Sequence, residues 1–163
     1  MATKEIHLAQ LIWQTRRLFQ RVSNESNDLL NTFGITASQR AVLQLLDHDD
    51  AETLSNMARA QEVSRQHIQQ TVNELLEKDL VETIANPKHK RSFLVRHSKV
   101  GDKLFLQIKK AESALFKEMA SEFKLDALKT SINTLTQMNT HLQSENWIKT
   151  KNKVLSRHKG KSK

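Results

Sequence analysis

Between Ser64 and Arg91 the chain changes its hydrophobic period twice, and few folds accept that order. Ile68, Val72, Leu75 and Leu76 fall at i, i+4, i+7 and i+8, the buried stripe of a helix, and Ser64 stands before it as an N-cap residue. The opposite face carries Gln66, Gln70 and Asn73, with Arg65, His67 and Gln69 at its flanks, where a surface helix ordinarily has Lys and Glu. A short apolar run follows, Leu80 to Ile84, and then Asn86-Pro87-Lys88-His89-Lys90-Arg91 around the only proline. Phe93 to Arg96 forms a second run, so the segment reads as a hairpin with a basic turn. A helix with an amide-rich face beside such a hairpin offers hydrogen-bonding groups to base edges and cations to phosphates.

The rest of the chain predicts helices. Three glycines and one proline in 163 residues leave few breakers, and the absence of cysteine excludes disulfides, thiol redox chemistry and cysteine zinc sites. The length suits one domain with a real core. No segment is a membrane span or a signal peptide, so a cytoplasmic location is expected. The formal charge of +8 is unevenly placed: the seven cations after Trp147 (Lys149, Lys151, Lys153, Arg157, Lys159, Lys161 and Lys163) have no acid among them. Removing them leaves about +1, so the body is nearly neutral and its cations matter by position. Residues 147–163 read as a mobile basic arm, either a solubilising end or an extra contact to DNA.

Leu8, Ile12, Phe19, Val22, Leu29, Leu30 and Phe33 predict a long helix over 4–33, ended by Gly34. Thr36 and Gln39 form a capping box for the next helix, which buries Val42, Leu43, Leu45 and Leu46. Asp47-His48-Asp49-Asp50 reads as a charged loop. Thr53 caps a short helix that packs through Leu54, Met57 and Ala58. Ser98 caps a long helix to about Phe123 with two apolar stripes, one through Leu104, Ile108, Ala111, Leu115 and Met119, the other through Phe105, Phe116 and Phe123. Two stripes call for two neighbours, one of them most simply a second subunit. Residues 125–145 give a further helix with Leu128, Ile132, Leu135, Met138 and Leu142 at nearly a 3.5-residue repeat. The order of helices and hairpin is that of a winged helix-turn-helix.

Over roughly residues 5–142 the chain resembles the MarR family of prokaryotic transcriptional regulators. Ile35 to Leu43 is similar to the family's Leu-Thr-x-x-Gln-x-x-Val-Leu helix, and Met57-Ala58 stands where the family has Leu-Ala. Val63-Ser64 opens the recognition helix, and Leu75 to Val81 resembles Leu-Glu-x-Lys-Gly-Leu-Val. Asn86 to Arg91 resembles the wing motif Asp/Asn-Pro-x-Asp-x-Arg, and Ser98 to Gly101 resembles Thr-x-x-Gly. Four positions depart from the pattern: Glu62 replaces a turn glycine, Gln61 a core leucine, Asp79 a glycine and His89 the wing acid. With His89 the wing has four potentially cationic side chains in a row, and its phosphate affinity is expected to rise as pH falls through the histidine range.

The resemblance implies a mainly α fold with a small β-hairpin wing, in which a winged helix-turn-helix region is flanked by N- and C-terminal dimerisation helices. The expected organisation is one regulator domain over 1–146, with 1–33 and 99–146 as dimerisation helices and 35–97 as the DNA-binding region, followed by the basic tail 147–163. It also implies a homodimer on a pseudo-palindromic site, minor-groove contact by Arg91 and a possible small-molecule effector of unknown class.

Gln66, Gln69 and Gln70 pair naturally with adenine and Arg65 with guanine, so these are the base-edge candidates, with His67 beside them. Ser64, Thr36 and Ser38, at helix starts, suit phosphates, as do Lys88, Lys90 and Arg91 of the wing. The acids around His48 have metal-ligand chemistry but no ligand spacing, and a solvated loop is the simpler reading. The histidine pair with which some family members sense zinc on the fifth helix has no counterpart in residues 99–123. Trp13, Phe19, Phe33 and Phe105 could line an effector pocket but suit core or interface better. No catalytic set stands out, and neither an enzyme nor a cofactor is expected. The function expected is that of a dimeric, sequence-specific transcriptional repressor; the alternative is an architectural DNA-binding protein of low specificity.

Overall fold

The computed structural model describes residues 3–47, 51–87, 89 and 92–159. The elements run α1 (Thr3–Thr32), α2 (Ala37–Leu45), α3 (Leu54–Ala60), α4 (Arg65–Glu77), β1 (Val81–Ala85), β2 (Phe93–His97), α5 (Lys99–Ser121), α6 (Leu125–Gln143) and α7 (Glu145–Lys159). The expected fold class holds: helices throughout, with one antiparallel hairpin whose register pairs Val81 with His97 and Ala85 with Phe93. The chain falls into two compact units, residues 1–112 and 113–163.

Local hydrogen bonding sets the helix starts in the first unit. The Thr36 hydroxyl accepts from Gln39 N at 3.2 Å while the Gln39 side chain accepts from Thr36 N at 3.2 Å, completing the capping box. Thr53 and Ser64 cap α3 and α4 through Asn56 N and His67 N. The helix ends share one device. After α1, α3 and α4 a residue in the left-handed region turns the chain: Gly34, Glu62 and Asp79. In each case the next amide reaches back five residues, Ile35 N to Leu30 O, Val63 N to Ala58 O and Leu80 N to Leu75 O. This is the Schellman arrangement, and it explains why glycine is the easier residue at all three sites.

The core of the first unit lies among α2, α3, α4, the hairpin and the first turns of α5. Leu43, Leu46, Met57, Ile68, Val72, Leu75, Val95, Phe105 and Ile108 are fully buried there. Of α1 only Leu30 is buried, with Phe33 just beyond it packed on the core. Glu52, just before α3, exchanges backbone hydrogen bonds with Val95 and adds a bridge to the edge of the hairpin.

Several ties hold α5 to this unit. Ser98 caps the helix, its hydroxyl accepting from Gly101 N and donating to Asp79 O. Gly101 packs directly on the chain at Leu80, where an added Cβ would lie 1.8 Å from the carbonyl oxygen. Further along, Arg40 of α2 donates Nε and a terminal nitrogen to the Glu112 carboxylate at 2.8 and 2.6 Å, a two-pronged pair that is largely sheltered.

The second unit holds the end of α5 with α6 and α7. No residue of α6 is buried. Leu115, Phe116, Met119, Phe123 and Ile132 are each more than half exposed. The expected arm at 147–163 is instead helical from Glu145 to Lys159. Ser144 starts that helix, its hydroxyl accepting from Trp147 N at 3.2 Å, and the Trp147 ring meets His141 of α6 at 5.4 Å. No glycine or proline interrupts the segment before Gly160, so a capped start is enough to extend it. Among the described residues no helix is long and apolar enough to cross a membrane.

Candidate nucleic-acid interface

Helix α4 is anchored so that its polar side is left outward. Ile68, Thr71, Val72 and Leu75 are buried. A network below the C-terminal half fixes its rotation: the buried Gln39 donates to Glu74 at 2.8 Å and accepts from Lys78, whose ammonium also donates to Gly34 O at 2.7 Å. Lys78 is therefore spent on the fold.

On the outward side Arg65, Gln66, His67, Gln70 and Asn73 are exposed and Gln69 is half-buried. The Gln69 amide donates to Asn73 at 2.9 Å, and Gln70 donates to Glu74 at 3.3 Å. These pairs order the amide row in the free protein, and both are exposed, so exchanging them for base edges costs little. Gln66 has no such restraint among the described residues. Thr36 is exposed and Ser38 half-buried at the start of α2, and Ser64 is exposed at the start of α4. The Thr36 and Ser64 hydroxyls accept backbone N–H groups as caps, and each retains a proton for an outside acceptor.

A groove of about 590 Å³ lies between the start of α4 and the hairpin. Arg65 lines it together with Asn86, Pro87, His89 and Ser92 of the hairpin turn and Ser55 and Asn56 of α3. The structure thus brings Arg65 and His89 to one channel. It also adds Ser55, Asn56 and Asn86, which were not singled out from sequence; the Thr53 cap, which starts α3 next to the hairpin, was the available signal. Asn86 steadies the turn by donating to the Ser92 hydroxyl at 2.9 Å, and His89 N donates to Asn86 O. Lys88, Lys90 and Arg91 lie outside the described residues, as do His48, Asp49 and Asp50. Arg96, by contrast, is committed within the hairpin, where it donates to Glu82 across the strands at 2.6 Å.

Phe105 belongs to the core, and Phe33 packs on it, so neither lines a cavity; Trp13 and Phe19 are exposed on α1. Among the described residues no group of three or more His, Asp, Glu or Cys could hold a metal.

Comparison with known proteins agrees with this geometry. The model of the MarR family matches residues 33–92, the span from the end of α1 through the hairpin. No curated protein matches the chain. Among solved structures, a MarR family transcription regulator is 25% identical with a TM-score of 0.79, covering 89% of this chain and 98% of its own. Staphylococcus aureus MarR, solved in complex with salicylate and kanamycin, is 18% identical with a TM-score of 0.75, covering 88% of this chain and 98% of its own. A mutant MarR from E. coli complexed with operator DNA is 22% identical with a TM-score of 0.68, covering 86% and 96%. The motif register, the capped helix α4 with its hairpin, and these likenesses agree: residues 33–92 match the MarR family, and the chain shares the winged helix-turn-helix fold of solved MarR family structures.

Proposed function

We propose that the protein is a homodimer that binds a pseudo-palindromic operator and represses transcription by occluding it. The observation that carries this reading is the outward face of α4, an ordered amide row held in place by the Gln39–Glu74–Lys78 network and bordered by the groove of Arg65 and His89. In this reading α4 enters the major groove, with Gln66, Gln69, Gln70 and Arg65 at base edges and His67 at the rim. The hairpin, with Lys88, Lys90 and Arg91, meets the adjacent backbone and minor groove. A relative of the same fold was solved on operator DNA, which supports the placement.

The dimer is inferred from exposed apolar surface. Within the first unit, Trp13, Leu18 and Phe19 of α1 are more than half exposed. Within the second, Leu115, Phe116 and Ile132 are likewise. A second copy is the simplest cover for faces of this size. Another relative was solved with salicylate, which supports a small-molecule effector that shifts the dimer between spacings.

Selection of bound sites from a random DNA pool tests the reading. The expected product is an imperfect palindrome with half-sites about one helical turn apart between centres. Enrichment of no sequence over random duplex at physiological salt would favour an architectural protein instead.

A further inference from the structure

We propose, resting on the DNA-binding reading above, that Glu74 is a positioning residue: it fixes the polarity of the Gln70 amide, so that Gln70 meets the major groove as an acceptor beside a donor and reads adenine. An amide side chain has two ends of opposite chemistry, an oxygen that accepts and an NH₂ that donates. Which of them an exposed glutamine offers is ordinarily open, because the two orientations have nearly the same shape. In Gln70 it is settled by a chain of contacts that begins in the backbone. The buried Gln39 accepts at Oε1 from Thr36 N at 3.2 Å and from Lys78 Nζ at 3.1 Å. Both partners can only donate, so the Gln39 oxygen must face them and its NH₂ must face away. That NH₂ donates to Oε2 of Glu74 at 2.8 Å. The other carboxylate oxygen, Oε1, accepts from Nε2 of Gln70 at 3.3 Å.

The last contact is long and exposed, so what it supplies is direction rather than strength. A carboxylate only accepts. Turning Gln70 around would set its oxygen against Glu74 and replace attraction with repulsion. Glu74 itself is half-buried, and its other oxygen is held by Gln39, which is 3% exposed. The remaining glutamines on the outward face of α4 have no such constraint. Gln69 donates to Asn73, but two amides can reverse together and keep their hydrogen bond. Gln66 has no side-chain restraint among the described residues.

With one N–H committed to Glu74, Gln70 retains its oxygen and one N–H for the groove. Adenine offers a matching pair on its major-groove edge, the N6 amine as donor and N7 as acceptor. Guanine offers two acceptors, O6 and N7, and has nothing there to donate to the Gln70 oxygen. Glu74→Gln should invert the choice. The new amide keeps an acceptor for Gln39, and its NH₂ is then left toward Gln70. Gln70 turns its oxygen to that donor and its two N–H groups outward, the pattern that suits guanine. A residue that only stapled α2 to α4 would have no such effect on base choice.

The test is selection of bound duplexes from a random pool by the full-length wild type, Gln70→Ala and Glu74→Gln, followed by isotherms on A·T and G·C versions of the selected site. Gln70→Ala, an exposed change to a good helix former, should flatten preference at one position of each half-site and so identify it. The wild type should prefer A·T there. In Glu74→Gln the ratio of A·T to G·C affinity at that position should fall by about tenfold or more. Loss of the Glu74 charge raises affinity for both duplexes alike, so the ratio isolates the effect of polarity. With Gln70→Ala and Glu74→Gln combined, the ratio should be that of Gln70→Ala alone. A G·C preference at the Gln70 position in the wild type overturns the proposal, and this arm holds even if Glu74→Gln fails to fold. An enriched site whose A·T to G·C ratio is unchanged in Glu74→Gln removes the proposal alone. A wild type that enriches no sequence removes the DNA-binding reading and the proposal with it.

Discussion

Gln61 carries an avoidable cost. Its side-chain nitrogen is buried without a hydrogen-bond partner among the described residues, at a position where the family's pattern has leucine. Gln61→Leu should raise stability by about 1–3 kcal/mol, the usual penalty for a stranded buried polar group. Urea unfolding at fixed protein concentration measures it, and a lower midpoint would contradict this account of the site. The neighbouring Glu62 pays a conformational cost instead. It holds φ 55°, as does Asp79, and only glycine enters that region freely. Both Glu62→Gly and Asp79→Gly should stabilise by up to about 1 kcal/mol, with Glu62 gaining more because Asp tolerates the left-handed region better than Glu. At the proposed DNA-binding face, residues should separate by chemistry. Gln66→Ala should cost about 1–3 kcal/mol on the best site, relax one base position and leave the salt slope unchanged. Arg91→Ala, in the wing motif, should weaken binding to all sequences and lower the log–log salt slope by about 1. Isotherms on selected and scrambled duplexes at several salt concentrations check both. Equal losses on the two duplexes for Gln66→Ala would remove α4 as the reading element.

Among elements, α7 offers the clearest deletion. Lys149, Lys153 and Arg157 recur at four-residue intervals and so share one face of it. Removing residues 147–163 should leave the fold and the dimer intact, lower affinity for all duplexes and reduce the salt slope, with the selected site unchanged. A new preferred site, or loss of the folded protein, would show that α7 does more than add charge. That α7 is a helix was hidden in the sequence because its cations dominate its composition, while the Ser144 cap and the Trp147–His141 contact are modest local signals. The caps at Thr36, Thr53 and Ser64 were legible because donor and acceptor lie three residues apart. The same locality made α4 and the hairpin readable. The link from the His97 ring to the Leu43 carbonyl was not, since Leu43 is 54 positions away and nothing in the local pattern marks the two as neighbours. Gln39 is an intermediate case: its capping role was visible, its reach to Glu74 and Lys78 was not.

At the scale of the molecule, the proposed dimer would rest on faces that neither unit buries by itself. Leu135 is 37% exposed on α6. Leu135→Asp should dissociate the protein and abolish operator binding, and sedimentation at micromolar concentration distinguishes this from a variant that stays dimeric but binds DNA poorly. A wild type that sediments as a stable monomer would remove the dimeric model altogether. Within the first unit, the seat of Gly101 on Leu80 sets how movement is passed on. Leu80 lies three residues beyond the end of α4, and the start of α5 rests against its backbone with no side chain between them. Side chains act as springs, since rotamers absorb small displacements. Here there is no spring. The joint behaves as a lever without slack, so a tilt at the root of α5 is delivered at nearly full amplitude to the strand that follows α4.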